Sequence, residues 1–329
     1  MTIPYRYFKT ALLIIASGYL YSCNSSSPAP GIYKDAGIPS AKRNEFHNLT
    51  DSLFAFLKAG REGAIESMIS RDLMDNNANK RTRELVANQL KANKYSLFDD
   101  YYIVPKPGDD KFLNAKADSL GLRLDSVARE TYIALYIPKE SANQKMISLV
   151  YGKFNYGWRL DKIELAPYTK NGRAAKELFD RARSQYARGY LVDAVNSMTG
   201  AIECATPSEE LLPPDHSKTS ALYGIIVNQA NDKYKFPLVL NNVPGKPVIF
   251  RIGTIEMKDG TYPTISYLSK ISIKDTAAVR EQNNAVKKII GNVLKGIDKD
   301  KKYLVYYIYN EKPNSYTNSY SFDITDKLQ

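Results

Sequence analysis

The spacing of apolar residues divides the first half of the chain into a helical part and a part made of strands. Apolar positions recur at helical intervals from Phe46 to Leu57, and similar patterns predict helices over residues 64–74 and 80–93. Runs rich in Tyr, Val and Ile then predict strands, which cover residues 101–104, 131–137, 145–151 and 158–165. We therefore expect residues 42–168 to form a first unit in which helices accompany an antiparallel sheet.

The end of this unit resembles the nuclear transport factor 2-like superfamily. The resemblance is carried by the closing strands, residues 146–154 and 158–163, and by the sequence Gly157-Trp158-Arg159-Leu160. It implies a cone-shaped domain whose sheet and helices enclose a pocket, with Trp158 as a candidate binding residue. That superfamily includes isomerases, dehydratases and non-catalytic binding modules, so the resemblance does not select a function.

A pair of antiparallel helices is predicted within residues 169–234. Gly189 lies at the turn between the helices, and the terminal Pro207 follows them. Small residues lie where two such helices must approach closely; they are Ala182, Ala194 and Ala201. This pattern resembles a tetratricopeptide repeat, although Pro207 falls one position late. A generic helical hairpin is the alternative.

This second unit is short, even with a further helix predicted over residues 217–234. It amounts to about one and a half repeats, and an independent solenoid usually needs at least three. We therefore expect the hairpin to depend on its neighbours for stability. Its concave face is a candidate contact surface, with Tyr186 and Tyr190 as candidate binding residues.

The third unit covers residues 235–329, where the pattern of apolar residues again predicts strands. A helix is predicted from Thr276 to Ile297, with Asp275 as its N-cap. The strands predicted around this helix cover residues 237–241, 247–257, 261–273, 303–309 and 320–324. We expect a small antiparallel sheet with one helix on one face, which makes the whole chain α+β.

The first residues predict export and anchoring. Arg6 and Lys9 precede a short apolar run, which is typical of a signal peptide over residues 1–22 and too short for a spanning helix. The sequence Leu20-Tyr21-Ser22-Cys23 resembles the lipobox of bacterial lipoproteins, although Tyr21 is larger than usual. The resemblance implies cleavage before Cys23 and acylation of that cysteine. An ordinary secretory signal is the alternative.

The resemblance to a lipobox also implies where in the cell the protein is located. Residues 23–41 are rich in Ser, Pro, Ala and Gly and are predicted to form the anchor and a flexible tether. We expect the protein to lie in the cell envelope, lipid-anchored to the inner or outer membrane, on the periplasmic face by default. The second cysteine, Cys204, then has no disulfide partner and is expected in the core.

The charge of the chain narrows the choice of partner. The formal net charge is +11, of which Arg6 and Lys9 contribute two, leaving +9 after cleavage. An exported lipoprotein rarely meets nucleic acid, so we expect no nucleic-acid partner. Anionic headgroups, anionic glycans or an acidic envelope protein are the candidates, and a merely lysine-rich solvated surface is the alternative.

Residues suited to catalysis are sparse. His47 and His216 lie in different units and in no metal-ligand spacing, so we expect no metal site, no histidine triad and no cofactor. The adjacent carboxylates Asp99 and Asp100 precede the first predicted strand, near a possible pocket mouth. Neighbours on a strand point to opposite faces, so at most one of them can face a pocket.

Tyrosine is enriched, with 25 residues against 11 phenylalanines. On the predicted strand 303–309, Tyr307 and Tyr309 share one face, whereas Tyr306 lies on the other. They could form a contact surface or pack as ordinary strand residues. The leading hypothesis is a non-catalytic lipoprotein that binds a protein partner or assists envelope assembly. The alternative is a small-molecule or lipid pocket in the first unit, near Trp158.

Overall fold

A computed structural model describes residues 28–74, 77–106, 113–117, 120–124, 128–212, 216–313 and 320–328. The predicted signal peptide and Cys23 lie outside the described residues. The described chain contains helices and largely antiparallel sheets, which confirms the α+β class. Among these residues, no helix combines the length and the apolar content needed to cross a bilayer.

The described part of the first unit combines α-helices with a five-stranded antiparallel sheet. Its helices are α1 (Ser40–Ala59), α2 (Glu62–Glu66), α3 (Arg71–Met74) and α4 (Asn77–Ala92). Its strands, in their order across the sheet, are β1 (Gly31–Lys34), β2 (Tyr95–Val104), β5 (Thr131–Pro138), β6 (Lys145–Phe154) and β7 (Gly157–Pro167). The predicted first and last helices and the meander are therefore confirmed, with longer strands than the sequence indicated. The helix predicted over residues 64–74 is wrong as one helix, because Ile69 forms a β-bridge with Leu160 of β7 and divides it into α2 and α3.

The prediction of a flexible tether over residues 23–41 is wrong for its second half. Gly31–Lys34 pairs with β2 in antiparallel register, from Gly31 opposite Val104 to Lys34 opposite Tyr101. α1 already begins at Ser40. An edge strand obtains its hydrogen bonds from its neighbour in the sheet, and local composition does not reveal that neighbour.

β3 (Leu113–Ala117) and β4 (Leu120–Leu124) pair in antiparallel register. β4 also pairs with β8 (Leu211–Leu212), which follows the helical hairpin in the chain. Beside β8, the buried carboxylate of Glu210 pairs with Lys162 on β7 at 2.6 Å. These contacts fasten the segment after the helical hairpin to the first unit.

Aromatic rings fill the space between α1 and the large sheet. Phe46 on α1 stacks on Tyr132, with ring centroids 4.1 Å apart, and meets Trp158 edge-on at 4.9 Å. Tyr102 lies 5.2 Å from Phe46. Phe46, Tyr102 and Tyr132 are completely buried. Each such pair adds about 0.5–1.5 kcal/mol beyond the area it buries, so this cluster fixes α1 on the sheet.

The predicted helical hairpin is confirmed by α5 (Ala175–Ala187) and α6 (Leu191–Glu203). Gly189 has a φ of +75° at the turn, a conformation that favours glycine. Ala182, Ala194 and Ala201 are buried, which lets the helices approach closely. Cys204 is buried at the end of α6, as expected. The third helix, α7 (His216–Lys233), packs on α6 and shares its apolar cluster through Ile226.

The C-terminal unit is a five-stranded sheet with helix α8 (Thr276–Val293). Asp275 caps α8 as predicted, since its Oδ1 accepts a hydrogen bond from the Ala278 amide at 3.1 Å. The strands, in sheet order, are β13 (Phe322–Lys327), β12 (Tyr303–Tyr309), β11 (Gly260–Leu268), β10 (Val248–Met257) and β9 (Leu238–Val239).

The C-terminal sheet differs from the predicted antiparallel arrangement in one of its pairs. β11 and β12 run parallel, whereas the other neighbouring strands are antiparallel. The chain leaves β11, forms α8 and returns beside β11 in the same direction. A helical crossover allows this return, whereas a tight hairpin permits only an antiparallel pair.

The hairpin and the C-terminal unit share one hydrophobic core. Leu191 and Val192 from α6 and Tyr234 after α7 are buried in the same cluster as Ile249 and Ile290 of the C-terminal unit. A buried ion pair reinforces this contact: Lys301 Nζ lies 2.7 Å from Asp193 Oδ2, and the side chains are 9% and 5% exposed. The hairpin therefore shares its core with its neighbour, and its dependence on that neighbour for stability stays a prediction.

Removing one member of this buried pair should destabilise the protein strongly. Asp193→Ala leaves the Lys301 ammonium without its counter-charge, and we expect the free energy of unfolding to fall by about 3–5 kcal/mol. The control is Asp180→Ala, which removes the partner of Lys176 from an exposed pair on α5 and should cost far less stability, because exposed ion pairs contribute little. Urea denaturation measures both changes. Equal losses in the two variants would contradict the importance of the buried pair.

A second prediction concerns Glu164 on β7, whose Oε2 accepts a hydrogen bond from the Glu209 amide at 3.2 Å. Burial, together with nearby Glu210, raises the pKa of Glu164 from 4.5 to about 7. The folded state therefore holds this proton more tightly than the unfolded state. The contribution to stability is present below about pH 4.5 and is lost as the pH rises through about 7.

Glu164→Gln keeps the acceptor for the Glu209 amide and removes the titration. We expect the unfolding free energy of this variant to fall less than that of the wild type as the pH rises over that range. Denaturant melts at several pH values measure this difference. Glu256→Gln, at an exposed position of β10, is the control and should follow the wild type. A pH dependence unchanged by Glu164→Gln would contradict this assignment.

Candidate functional site

The three units meet around a cleft with a volume of about 420 Å³. The first unit and the linker after it contribute Ala142 and residues 170–173. The helical hairpin contributes residues of α5 and α6, including Asn196 and Thr199. The C-terminal unit contributes the β10–β11 hairpin and residues 300–302. No single unit forms this cleft, so its shape depends on how the units are joined.

Asn171 connects the linker after the first unit to the C-terminal unit at one side of the cleft. Its Nδ2 donates to the Thr261 carbonyl at 3.0 Å, and its Oδ1 accepts from the Thr261 amide. The carboxamide thus pairs with the backbone of β11 much as another strand would. Asn171 has a φ of +52°, which asparagine tolerates better than most residues. Gly260 leaves room for this contact, because a Cβ there would lie 2.6 Å from Asn171 Oδ1.

The Asp193–Lys301 pair lies on the opposite side of the cleft. The Lys301 ammonium also donates to the carbonyls of Gly296 and Ile297, at 2.9 and 3.0 Å. These two carbonyls and Asp193 match the three donors of a lysine. Burial lowers the pKa of Lys301 and raises the pKa of Asp193, although each group stabilises the charge of the other. The polar groups of this pair are therefore engaged in contacts within the protein, between α6 and residues 296–301.

Three further ion pairs involve residues that line the cleft. Lys170 contacts Glu203, and Lys302 lies 3.2 Å from Asp259. Asp300 pairs with Arg188, which lies outside the cleft lining, at 2.7 Å. The cleft therefore has a charged and polar lining, in which Arg173 and Arg181 lie beside the ion pairs. Such a lining suits a hydrated polar ligand or a polar peptide segment rather than an apolar molecule.

The structure places the predicted tyrosines of the hairpin outside this cleft. Tyr186 is half-buried between the hairpin core and the C-terminal core. Tyr190 is half-buried against Gly296, where an added Cβ would lie 2.2 Å from its ring. The Arg188 guanidinium covers the Tyr190 ring at 4.6 Å. Both tyrosines therefore contribute to packing between units.

Tyr307 and Tyr309 share one face of β12 and are half-buried, whereas Tyr306 on the other face is completely buried. This alternation is as predicted. Tyr309 meets Phe250 of β10 with ring centroids 5.7 Å apart. These rings form a partly exposed aromatic surface on the C-terminal sheet, away from the residues that line the cleft.

Trp158 lies beside the aromatic cluster of the first unit, with the Lys42 ammonium 5.9 Å from its ring. The space that the resemblance predicted as a pocket contains the buried rings of Phe46, Tyr102 and Tyr132. The role of Trp158 as a binding residue stays a prediction. The sequence could not show that other aromatic residues occupy the space beside it.

The first unit contains a buried polar network that no local sequence pattern indicates. Asp100 lies inside β2 and not before it, and its Oδ2 accepts from Tyr132 Oη at 2.9 Å and contacts His47 Nε2 at 3.3 Å. Burial raises the pKa of Asp100 in spite of these hydrogen bonds. Asp99 instead lies 3.3 Å from Lys34. The alternation of a strand correctly predicted that only one of the pair faces inward.

Two further contacts in the first unit involve the carboxylate of Glu130. Tyr102 Oη donates to Glu130 Oε2 at 2.5 Å, and Lys153 pairs with the same carboxylate. Burial pushes the pKa of Glu130 upward, but Lys153 and Tyr102 outweigh it and leave that pKa below its ordinary value. No local sequence pattern connects Tyr102, Glu130 and Lys153, so only their placement in the sheet reveals this cluster.

Within the described part of the chain, no three His, Cys, Asp or Glu side chains are grouped so that they could hold a metal ion. His216 is the first residue of α7. Comparisons with models of known protein families, with curated proteins and with solved structures gave no match.

The Asn171 contact can be tested by removing its side chain without straining the backbone. Asn171→Gly keeps the positive φ but loses both hydrogen bonds to Thr261, and we expect a loss of about 1–3 kcal/mol in unfolding free energy. Asn231→Gly, at an exposed position of α7, is a control for the glycine itself and should cost about 1 kcal/mol or less. Proteolysis should also cut near residue 171 faster in Asn171→Gly. An unchanged proteolysis rate and stability would contradict the contact.

Proposed function

We propose that this chain is an exported lipoprotein, anchored through acylated Cys23, that binds a protein partner of the cell envelope without catalysing a reaction. The observation that carries the proposal is the cleft formed jointly by all three units. Such a cleft, with a polar lining and a fixed shape, is suited to recognise a segment of another molecule. The aromatic surface of Tyr307 and Tyr309 offers a second contact.

The position of the anchor supports this reading. Residues 24–30 separate Cys23 from β1, which begins at Gly31. An extended chain spans at most about 3.6 Å per residue, so this link reaches no farther than about 25 Å. An acylated Cys23 would hold the first unit close to the membrane surface. A partner would then be another component of that surface or of the adjacent periplasm.

The alternative, a small-molecule or lipid pocket in the first unit, has less support. The rings of Phe46, Tyr102 and Tyr132 occupy the space between α1 and the sheet. Asp100 already accepts from Tyr132 and contacts His47, so its carboxylate is engaged within the protein. A ligand there would have to displace well-packed aromatic side chains, which costs packing energy.

The anchor can be tested on the full-length chain in a Gram-negative host. We expect labelled palmitate to enter the wild type and the protein to sediment with membranes. Cys23→Ala should lose the label and leave the membrane fraction or remain uncleaved. Cys204→Ala is the matched control, because that cysteine is buried, and it should keep the label. Labelling that persists in Cys23→Ala would refute the lipoprotein assignment.

Partner binding calls for a separate experiment in intact envelopes. A photoreactive amino acid replaces Thr199, which lines the cleft, or Tyr307 on the aromatic surface. The control position is Lys91, which is exposed on α4 of the first unit. We expect a discrete crosslinked protein from Thr199 or Tyr307 and not from Lys91. The same products from all three positions, or none from the first two, would contradict the proposal.

A further inference from the structure

Two arginines in the inter-unit cleft have no carboxylate partner. Of the cations that line it, Lys170, Lys301 and Lys302 each pair with a carboxylate among the described residues. Arg173 and Arg181 line the same cleft, and no described carboxylate lies within ion-pair distance of either. The cleft therefore carries positive charge that the described protein does not neutralise.

The contacts of the two guanidinium groups leave most of their donors unused. Arg173 Nη1 donates to the Asn171 carbonyl at 3.1 Å. Arg181 Nη2 donates to the Asp300 carbonyl at 3.0 Å. These acceptors are neutral, and an arginine carries five N–H donors. The contacts orient both groups without satisfying their charge.

The two like charges also act on each other. Burial lowers the pKa of Arg181, and the charge of Arg173 lowers it further, whereas the carboxylates of Asp193 and Asp300 raise it and offset these effects only in part. Holding two cations together in a partly buried cleft is unfavourable unless an anion binds between or beside them. Asn196, Ser197 and Thr199 line the same cleft with amide and hydroxyl groups. An oxyanion would find charge-assisted donors and neutral donors in one place.

We propose that Arg173 and Arg181 form a binding site for an oxyanion, a phosphate or carboxylate group carried by a polar ligand that enters the cleft. The forked N–H groups of arginine match the paired oxygens of either group. The site does not depend on the membrane anchor or on a protein partner. It gives the cleft a chemical preference that the surrounding, already paired charges do not provide.

The test uses the full-length protein purified in detergent and two probes, inorganic phosphate and succinate, titrated by calorimetry. We expect saturable binding of at least one probe, weakened by added chloride. Phosphate alone would indicate a phosphoryl ligand, and succinate alone a carboxylate ligand. Arg181→Gln and Arg173→Gln should each weaken binding by about tenfold or more, the effect of losing a charge-assisted hydrogen bond.

Arg183→Gln is the matched control, because Arg183 lies on the same helix as Arg181 but is exposed and does not line the cleft. Its affinity should equal that of the wild type. Thermal unfolding without ligand separates binding from folding: Arg173→Gln should not lower Tm, since it relieves repulsion between like charges. Absence of saturable binding by both probes, or an equal loss of affinity in Arg183→Gln, would overturn the proposal.

Discussion

The contact between the helical hairpin and the C-terminal unit is the constraint on which the rest of the structure depends. At its centre the Lys301 ammonium is enclosed by Asp193 and by the carbonyls of Gly296 and Ile297. A buried charge is tolerated only when its donors are matched in this way. Leu191 and Val192 then join the C-terminal core beside this pair. The two short α-helices are thus held by a neighbour that supplies both apolar and ionic partners.

This docking also creates the cleft. With α6 fixed against the C-terminal unit, the Asn171 carboxamide reaches β11, and the three units surround a common space. Most charges at its rim neutralise one another, because each lysine in the lining has a carboxylate nearby. Arg173 and Arg181 remain the exception among the described residues. In the oxyanion-site proposal, the selectivity of the cleft comes from these two residues rather than from its overall charge.

The first unit uses tyrosine to combine an apolar interior with buried carboxylates. Tyr132 places its ring against Phe46 and its hydroxyl on Asp100. Tyr102 does the same with Glu130. Each ring contributes apolar area, while each hydroxyl supplies the hydrogen bond that a buried carboxylate requires. The tyrosine content of the chain therefore supports core packing as well as any contact surface.

The sequence by itself determined the features that depend on local spacing: α1 and α4 of the first unit, the α5–α6 hairpin, the cap at Asp275 and the opposite faces of Tyr306 and Tyr307. Helical and strand periods are properties of neighbouring residues, so they can be read without a fold. Only the tertiary structure decided the pairing of β1, the parallel direction of β12, the aromatic filling near Trp158 and the cleft. These depend on residues far apart in the chain, such as Asn171 with Thr261, and no local pattern encodes which distant partners meet.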